Sequence, residues 1–272
     1  MSAAYKNMNE INSPLSVLVT GAGSVYGLGI IKALKASVLP LEIIAIDINP
    51  YSLGLFFADK GFIAPRAAAE ESYYMFIENL CKDHQIKAIF IGSTAELSFY
   101  AENRESLERS TAAKVFVNSP AVLELCCDKW LTMCHLSRSG FQIPASIRYP
   151  EDADMLSSFI KSAGFPLIIK PRMGRGSEGV VLVKDKQQLL ENVKGKESLI
   201  IQEYLTDVDQ EFTVGICINQ KGKVISKIAL RRYLQEGVSI AAVSDGYHDI
   251  ADYCARVAST LGAYGAINIQ LR

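Results

Sequence analysis

Apolar and polar positions follow two different rhythms along this chain. Up to residue 119, uninterrupted apolar runs take turns with segments of helical spacing. The runs are LSVLVT (15–20), LEIIAIDINP (41–50), IKAIFIGS (86–93) and KVFVNS (114–119). Between them lie IIKALKAS (30–37), YYMFIENLCKDHQ (73–85) and a helical stretch from 95 to 110. Short apolar runs read as strands buried on both faces, and strands alternating with helices predict a parallel sheet covered on both sides.

After residue 119 the rhythm changes. The segment 119–140 has the pattern of one amphipathic helix, with Ser119 as its cap, Pro120 at its first position and Gly140 beyond its end. Five short strand candidates follow: FPLIIKP, GVVLVK, SLIIQEYL, EFTVGICIN and VISKIAL. A helix from about 248 to 262 and a last strand, GAINIQLR, complete the pattern. Such β-rich segments around a glycine loop predict an α+β lid and body rather than a second doubly wound sheet. The expected division is a disordered leader (1–13), a Rossmann-like α/β domain (14–118) and a second domain (119–272) with its lid at about 146–205.

Composition narrows the function classes. With 272 residues, 49% of them hydrophobic, the chain buries a sizeable core. A net charge of −1 with mixed signs gives no basic tract for nucleic acid and no arm for an anionic membrane. No apolar run nears the roughly 20 residues a membrane span needs. The six cysteines include no C-x-x-C pair, which argues for thiols in a reducing cytoplasm rather than zinc or disulfides.

Two glycine-rich turns invite chemistry. The first, GAGSVYGLG, joins a strand to a helix, and Asp47 ends the next strand. Its spacing misses G-x-G-x-x-G, because Tyr26 stands where the third glycine belongs. Tight strand–helix packing is the favoured explanation, and a nicotinamide-dependent reductase is kept as the weaker alternative. The second turn, IIKPRMGRGSEGVV (168–181), sets Lys170 at a strand end before glycines whose freed N–H groups suit a phosphate. It is not a P-loop, since Val180 and Val181 stand where Lys and Ser/Thr are required.

The parts come in a telling order: Asp128-Lys129, then IIKPRMGRGSEGV, IIQEYL, Glu211 in DQEFTVG, and Gln270 in GAINIQ. This order resembles the ATP-grasp superfamily, and within it the carbamoyl-phosphate-synthetase-like branch, over nearly the whole chain. The resemblance implies a Rossmann-like pre-ATP-grasp domain followed by an ATP-grasp body. It implies ATP with Mg²⁺ (or Mn²⁺), and Lys129 and Lys170 as cationic phosphate contacts. Met173 to Gly179, with Gly174, Gly176 and Ser177, would form the lid loop. The backbone from Gln202 through Glu203 and Tyr204 to Leu205 would meet the adenine edge. Glu211 would hold the ribose hydroxyls, and Gln270 would be a metal ligand.

The implied activity is that of a carboxylate–amine ligase: ATP phosphorylates a small carboxylate, and an amine attacks the acylphosphate. Carbamoyl phosphate synthesis itself is not expected, because no amidotransferase or second synthetase half is seen within these residues. A homodimer is compatible with this reading. The family's main metal ligands, a glutamate and an asparagine in an E-x-N-P-R-like motif, belong on a strand after the one bearing Gln270. They are not in this sequence, so it is read as a truncated piece with little or no ATP turnover. A non-catalytic adenine-nucleotide-binding module is the alternative of a different class.

Overall fold

The computed structural model describes residues 13–174, 178–206, 210–235 and 238–272. It separates into two compact units, Met1–Pro120 and Ala121–Arg272.

The first unit is built on a sheet of β1 (Leu15–Thr20), β2 (Leu41–Asp47), β3 (Lys60–Ile63), β4 (Ala88–Ile91) and β5 (Lys114–Phe116). The order is β3-β2-β1-β4-β5, with every pair parallel. Helices α1 (Val25–Lys35), α2 (Leu53–Phe57), α3 (Glu70–Asp83) and α4 (Leu97–Thr111) form the crossovers. The central strands show why their sequence does not alternate: Val17, Leu18, Val19, Ile43, Ile44, Ala45 and Ile46 are all buried, so both faces are covered. A polar tie crosses this core, where the buried Glu96 accepts from Thr20 Oγ1 (2.6 Å) and Tyr73 OH (2.8 Å). Burial raises the pKa of that carboxyl.

The segment expected to be one helix from Ser119 to Gly140 is two, α5 (Pro120–Cys127) and α6 (Lys129–Arg138). Asp128 separates them. Its backbone is extended (φ −100°, ψ 108°), and its carboxylate accepts from the amides of Trp130 and Leu131. It also forms an isolated β-bridge to Met173. Asp is a weak helix-interior residue and a strong N-cap, so starting a new helix satisfies more backbone than continuing the old one. Gly140, at φ +82°, stands beyond the end of α6 as expected.

The second unit holds two antiparallel sheets. One has the order β6-β9-β7-β8, from β6 (Ser146–Tyr149), β7 (Leu167–Pro171), β8 (Val181–Val183) and β9 (Leu199–Glu203). Leu167, Ile169, Leu199 and Ile201 point to one face and pack with Leu156 and Phe159 of α7 (Leu156–Ala163) and Leu189 of α8 (Lys186–Val193). Strand alternation then sends Ser146, Lys170 and Gln202 to the opposite face.

The other sheet has the order β12-β11-β10-β13, from β10 (Phe212–Ile218), β11 (Val224–Gln235), β12 (Val238–Val243) and β13 (Gly265–Leu271). Val214, Ile216, Ile218 and Ala229 pack on Ala251, Cys254 and Ala258 of α9 (His248–Thr260). Thr213 and its partner Gln270 take the face away from that helix. All six strands predicted for this unit are present. The sequence pattern did not reveal β3, β6 and β12.

Candidate functional site

Two lysines about forty residues apart in sequence meet at the end of β7. Lys129 starts α6, and its position follows from Asp128. That carboxylate caps the helix through Oδ1 and accepts from Arg172 Nε through Oδ2 (2.7 Å). The Lys129 amide donates to the Arg172 carbonyl (3.1 Å). Its ammonium donates to the carbonyls of Pro171 (3.0 Å) and Gly174 (3.1 Å). Burial lowers its pKa, with the Asp128 carboxylate opposing.

Lys170 is the more perturbed of the two. Burial, and next the charge of Lys129, bring its pKa down to about 8. Its Nζ donates to Gln202 Oε1 (2.8 Å). Gln202 is itself buried, 8% exposed, and its Nε2 donates to Ser146 Oγ (2.8 Å) and approaches Met133 Sδ at 3.2 Å. These contacts fix the amide with its oxygen toward the lysine. Among the described residues, neither ammonium forms an ion pair with a carboxylate. Two cations held together, half dehydrated and bonded only to neutral oxygens, suit a polyanion.

Met173 and Gly174 adjoin this pair, with Met173 exposed and Gly174 at φ +135°. Gly176 and Ser177 lie outside the described residues. In the segment 202–205 the parts divide. Glu203 turns away from any ligand role for its carboxylate, which accepts from the Ala145 amide (2.7 Å), while its own amide donates to the Ala145 carbonyl (2.9 Å). The Leu205 carbonyl accepts from Arg272 NH1 (3.1 Å), and the same guanidinium lies 5.6 Å from the centre of the Tyr204 ring.

Glu211 precedes β10 and is shared by two arginines. Oε1 accepts from Arg232, and Oε2 accepts from Arg272 Nη2 (2.8 Å). Gln270 joins the group, since its Oε1 accepts from Arg232 Nη2 (3.1 Å). The sequence pattern names Glu211 and Gln270, offers the Arg231-Arg232 pair as an anion contact, and passes over Arg272. Arg232 was visible as half of an Arg-Arg pair closing a strand, a signal that a charged strand end also explains. Arg172, next to Pro171, carried no signal beyond its charge.

The first glycine turn is filled by the protein. A Cβ on Gly27 would lie 2.4 Å from the Gly21 carbonyl oxygen, and one on Gly92 would lie 2.3 Å from that of Thr20. Asp47 Oδ2 accepts from the Gly23 amide (2.7 Å), and Ser24 Oγ accepts from Gly27 and donates to the Gly92 carbonyl. The glycines let strand and helix backbones approach, as the packing explanation requires.

The residues present fit a nucleotide polyphosphate at Lys129 and Lys170. They do not fit a divalent cation at Gln270, whose oxygen already serves a guanidinium. Among the described residues no group of three or more His, Cys, Asp or Glu is placed to hold a metal ion. No helix of the described residues is long and apolar enough to cross a membrane.

Comparison with known proteins agrees with this architecture. Residues 17–115 match the PylC-like N-terminal domain, and residues 126–236 match an ATP-grasp domain. A formate-dependent phosphoribosylglycinamide formyltransferase of Synechococcus sp. (strain RCC307) is 23% identical over 79% of this chain and 53% of its own length. A glutamate–LysW ligase of Sulfolobus acidocaldarius is 32% identical over 40% of this chain and 41% of its own. The chain spans about half the length, or less, of these curated relatives. The structure of an N5-carboxyaminoimidazole synthetase from Staphylococcus aureus complexed with ADP superposes with a TM-score of 0.69 at 13% identity, over 96% of this chain and 67% of that one. The chain thus carries a PylC-like N-terminal domain followed by an ATP-grasp domain, and shares the fold of that synthetase along nearly its whole length.

Proposed function

We propose that the chain is an ATP-dependent ligase that joins a small carboxylate to an amine through an acylphosphate. The observation that carries this reading is the lysine pair: Lys170, with a pKa near 8, lies beside Lys129, and both bond only to neutral oxygens among the described residues. Phosphoryl transfer needs positioning and charge neutralisation more than covalent participation by the protein. Lys129 and Lys170 supply fixed positive charge for the phosphates, Lys170 at the α- and β-phosphates. Gln202 holds Lys170 in place and is itself held by Ser146. The carbonyl-rich segment at Tyr204 and Leu205 offers an adenine edge, and Glu211 offers a carboxylate to the ribose diol. Arg272 engages both Leu205 and Glu211, so nucleotide entry would displace that guanidinium.

The relatives support the class of reaction. One is named for transfer dependent on a carboxylate, formate; another for ligation of glutamate; and the Staphylococcus aureus neighbour held ADP. The carbamoyl-phosphate-synthetase-like placement rests on Gln270 and stays part of this proposal. So do the roles of the second unit's two sheets as lid (about 146–205) and body. Six unpaired cysteines are in keeping with a reducing, cytoplasmic setting.

A second reading, a nucleotide-binding module without turnover, is favoured by one observation. Arg232 occupies the oxygen of Gln270 that a metal would use. Hydroxylamine separates the two. Offered as the amine with ATP, Mg²⁺ and a panel of small carboxylic acids, it traps an acylphosphate as a hydroxamate and releases phosphate. Acid-dependent hydroxamate with matching ADP supports the ligase. ADP binding without hydroxamate from any acid contradicts it and leaves the module.

A further inference from the structure

The place expected to receive a metal is a cationic corner of the second unit. Arg232 donates through one nitrogen to both Glu211 Oε1 and Gln270 Oε1, and Arg272 takes the other oxygen of Glu211. Two guanidinium groups on one carboxylate leave a surplus positive charge. The Arg232 side chain is only 10% exposed, and among the described residues its Nε has no hydrogen-bond partner. A buried, incompletely paired guanidinium is costly in the free protein, and a ligand anion relieves that cost. A divalent cation at Gln270 Oε1 would instead face this guanidinium at hydrogen-bond range, where two like charges repel.

Sheet geometry places the group on one side. Glu211, Thr213 and Gln270 share the face of the β10/β13 pair away from α9, and Arg232 joins β11 to it through its amide bond to the Glu211 carbonyl (2.8 Å). We infer that Arg232 is a phosphate-binding residue of the nucleotide site. In the described residues it, rather than a divalent cation, neutralises the anion next to Gln270. The inference rests on the proposed role of Lys129 and Lys170 as nucleotide-binding residues. Its consequence is that nucleotide binding by this chain does not depend on Mg²⁺.

The test is an ADP titration of the full chain, read by calorimetry or by Trp130, the sole tryptophan and the neighbour of Lys129. In EDTA and in excess Mg²⁺ the dissociation constants should agree within about threefold, under the tenfold that one good polar contact supplies. Arg232→Gln should weaken ADP by about 10- to 100-fold in EDTA, the worth of one charge-assisted contact, and leave adenosine affinity unchanged. Arg232→Lys keeps the charge and should retain most of the affinity. ADP binding that appears only with Mg²⁺ overturns the inference, and this comparison needs no variant. So does an Arg232→Gln protein that binds ADP like the wild type while Lys170→Ala does not. If Lys170→Ala also binds ADP normally, the nucleotide site itself is misplaced, a separate failure.

Discussion

The molecule holds two glycine-rich turns after buried strands, and they differ in what their surroundings leave over. From Gly21 to Gly27 the turn closes on the protein: Asp47 takes the Gly23 amide, Ser24 ties Gly27 to Gly92, and neighbouring atoms fill the space of the Cβ atoms missing at Gly21, Gly23 and Gly27. At the end of β7 the cations are left over. Lys129 and Lys170 are dehydrated and depressed in pKa, and among the described residues they meet only neutral acceptors. Glycine by itself therefore does not mark a phosphate site. A surplus of buried charge that the protein does not cancel is the better mark.

The largest expected effect breaks the first turn without touching the second. Gly27→Val drives a side chain into the Gly21 carbonyl and should cost about 3 kcal/mol of stability, the upper range for overpacking. Denaturant melts should show that loss, while ADP affinity of the folded fraction stays unchanged. A variant that keeps its stability would mean the turn has room for a ligand after all.

Next in size is Asp128→Ala. It removes the cap of α6 and the partner of Arg172, and should destabilise by about 2 kcal/mol. Because the cap also aims Lys129, ADP affinity should fall with stability. Unchanged affinity would detach Lys129 from the site. A smaller effect, about 1 kcal/mol in ADP binding, is expected of Gln202→Met, which deletes the acceptor that orients Lys170. Ser146→Ala, one contact further out, should do less, and the reverse ranking would count against Gln202 as the positioning residue.

How much of this was legible in the residues depends on what each signal reports. The four long runs of the first sheet and six strands of the second unit came through, because buried strands leave a dense apolar imprint. The edge strand β3, four residues of KGFI, and β6, SER-ILE-ARG-TYR in sequence, are too short and too polar to leave one. The break at Asp128 was hidden because the flanking segments share one apolar rhythm, although an Asp before Lys-Trp-Leu is itself a cap signal. The structure brings Lys129 and Lys170, named from the sequence as phosphate contacts, to one place, and adds the Gln202 side chain, which the sequence named only for its backbone. The Glu203 carboxylate accepts from the Ala145 amide, a partner no spacing rule anticipates. The arginine cluster at Glu211 depends on cross-strand register, which a single sequence does not specify.

The smallest expected effect is a fraction of a proton. Lys170 has its pKa lowered from 10.5 to about 8, so the folded chain releases that proton at a pH where the unfolded chain still holds it. This lysine thus favours folding more as pH rises between those two values. A bound phosphate reverses the balance by stabilising the ammonium. ADP binding near pH 8 should take up protons, and affinity should fall as pH rises through that range. Titrations in buffers of different ionisation enthalpy measure the uptake. No uptake, or affinity that rises with pH, would remove Lys170 from the phosphate contacts.

The most direct test of the central claim, that the lysine pair at the end of β7 is the nucleotide site, is calorimetric titration of ADP, adenosine and NADH into the wild-type chain and Lys170→Ala. The account predicts that ADP binds the wild type and loses about 1.5–3 kcal/mol in the variant, the worth of a charge-assisted contact. It predicts adenosine affinity that is the same in both, and no binding of NADH. Equal ADP affinity in the two proteins, or tight NADH binding, would contradict it.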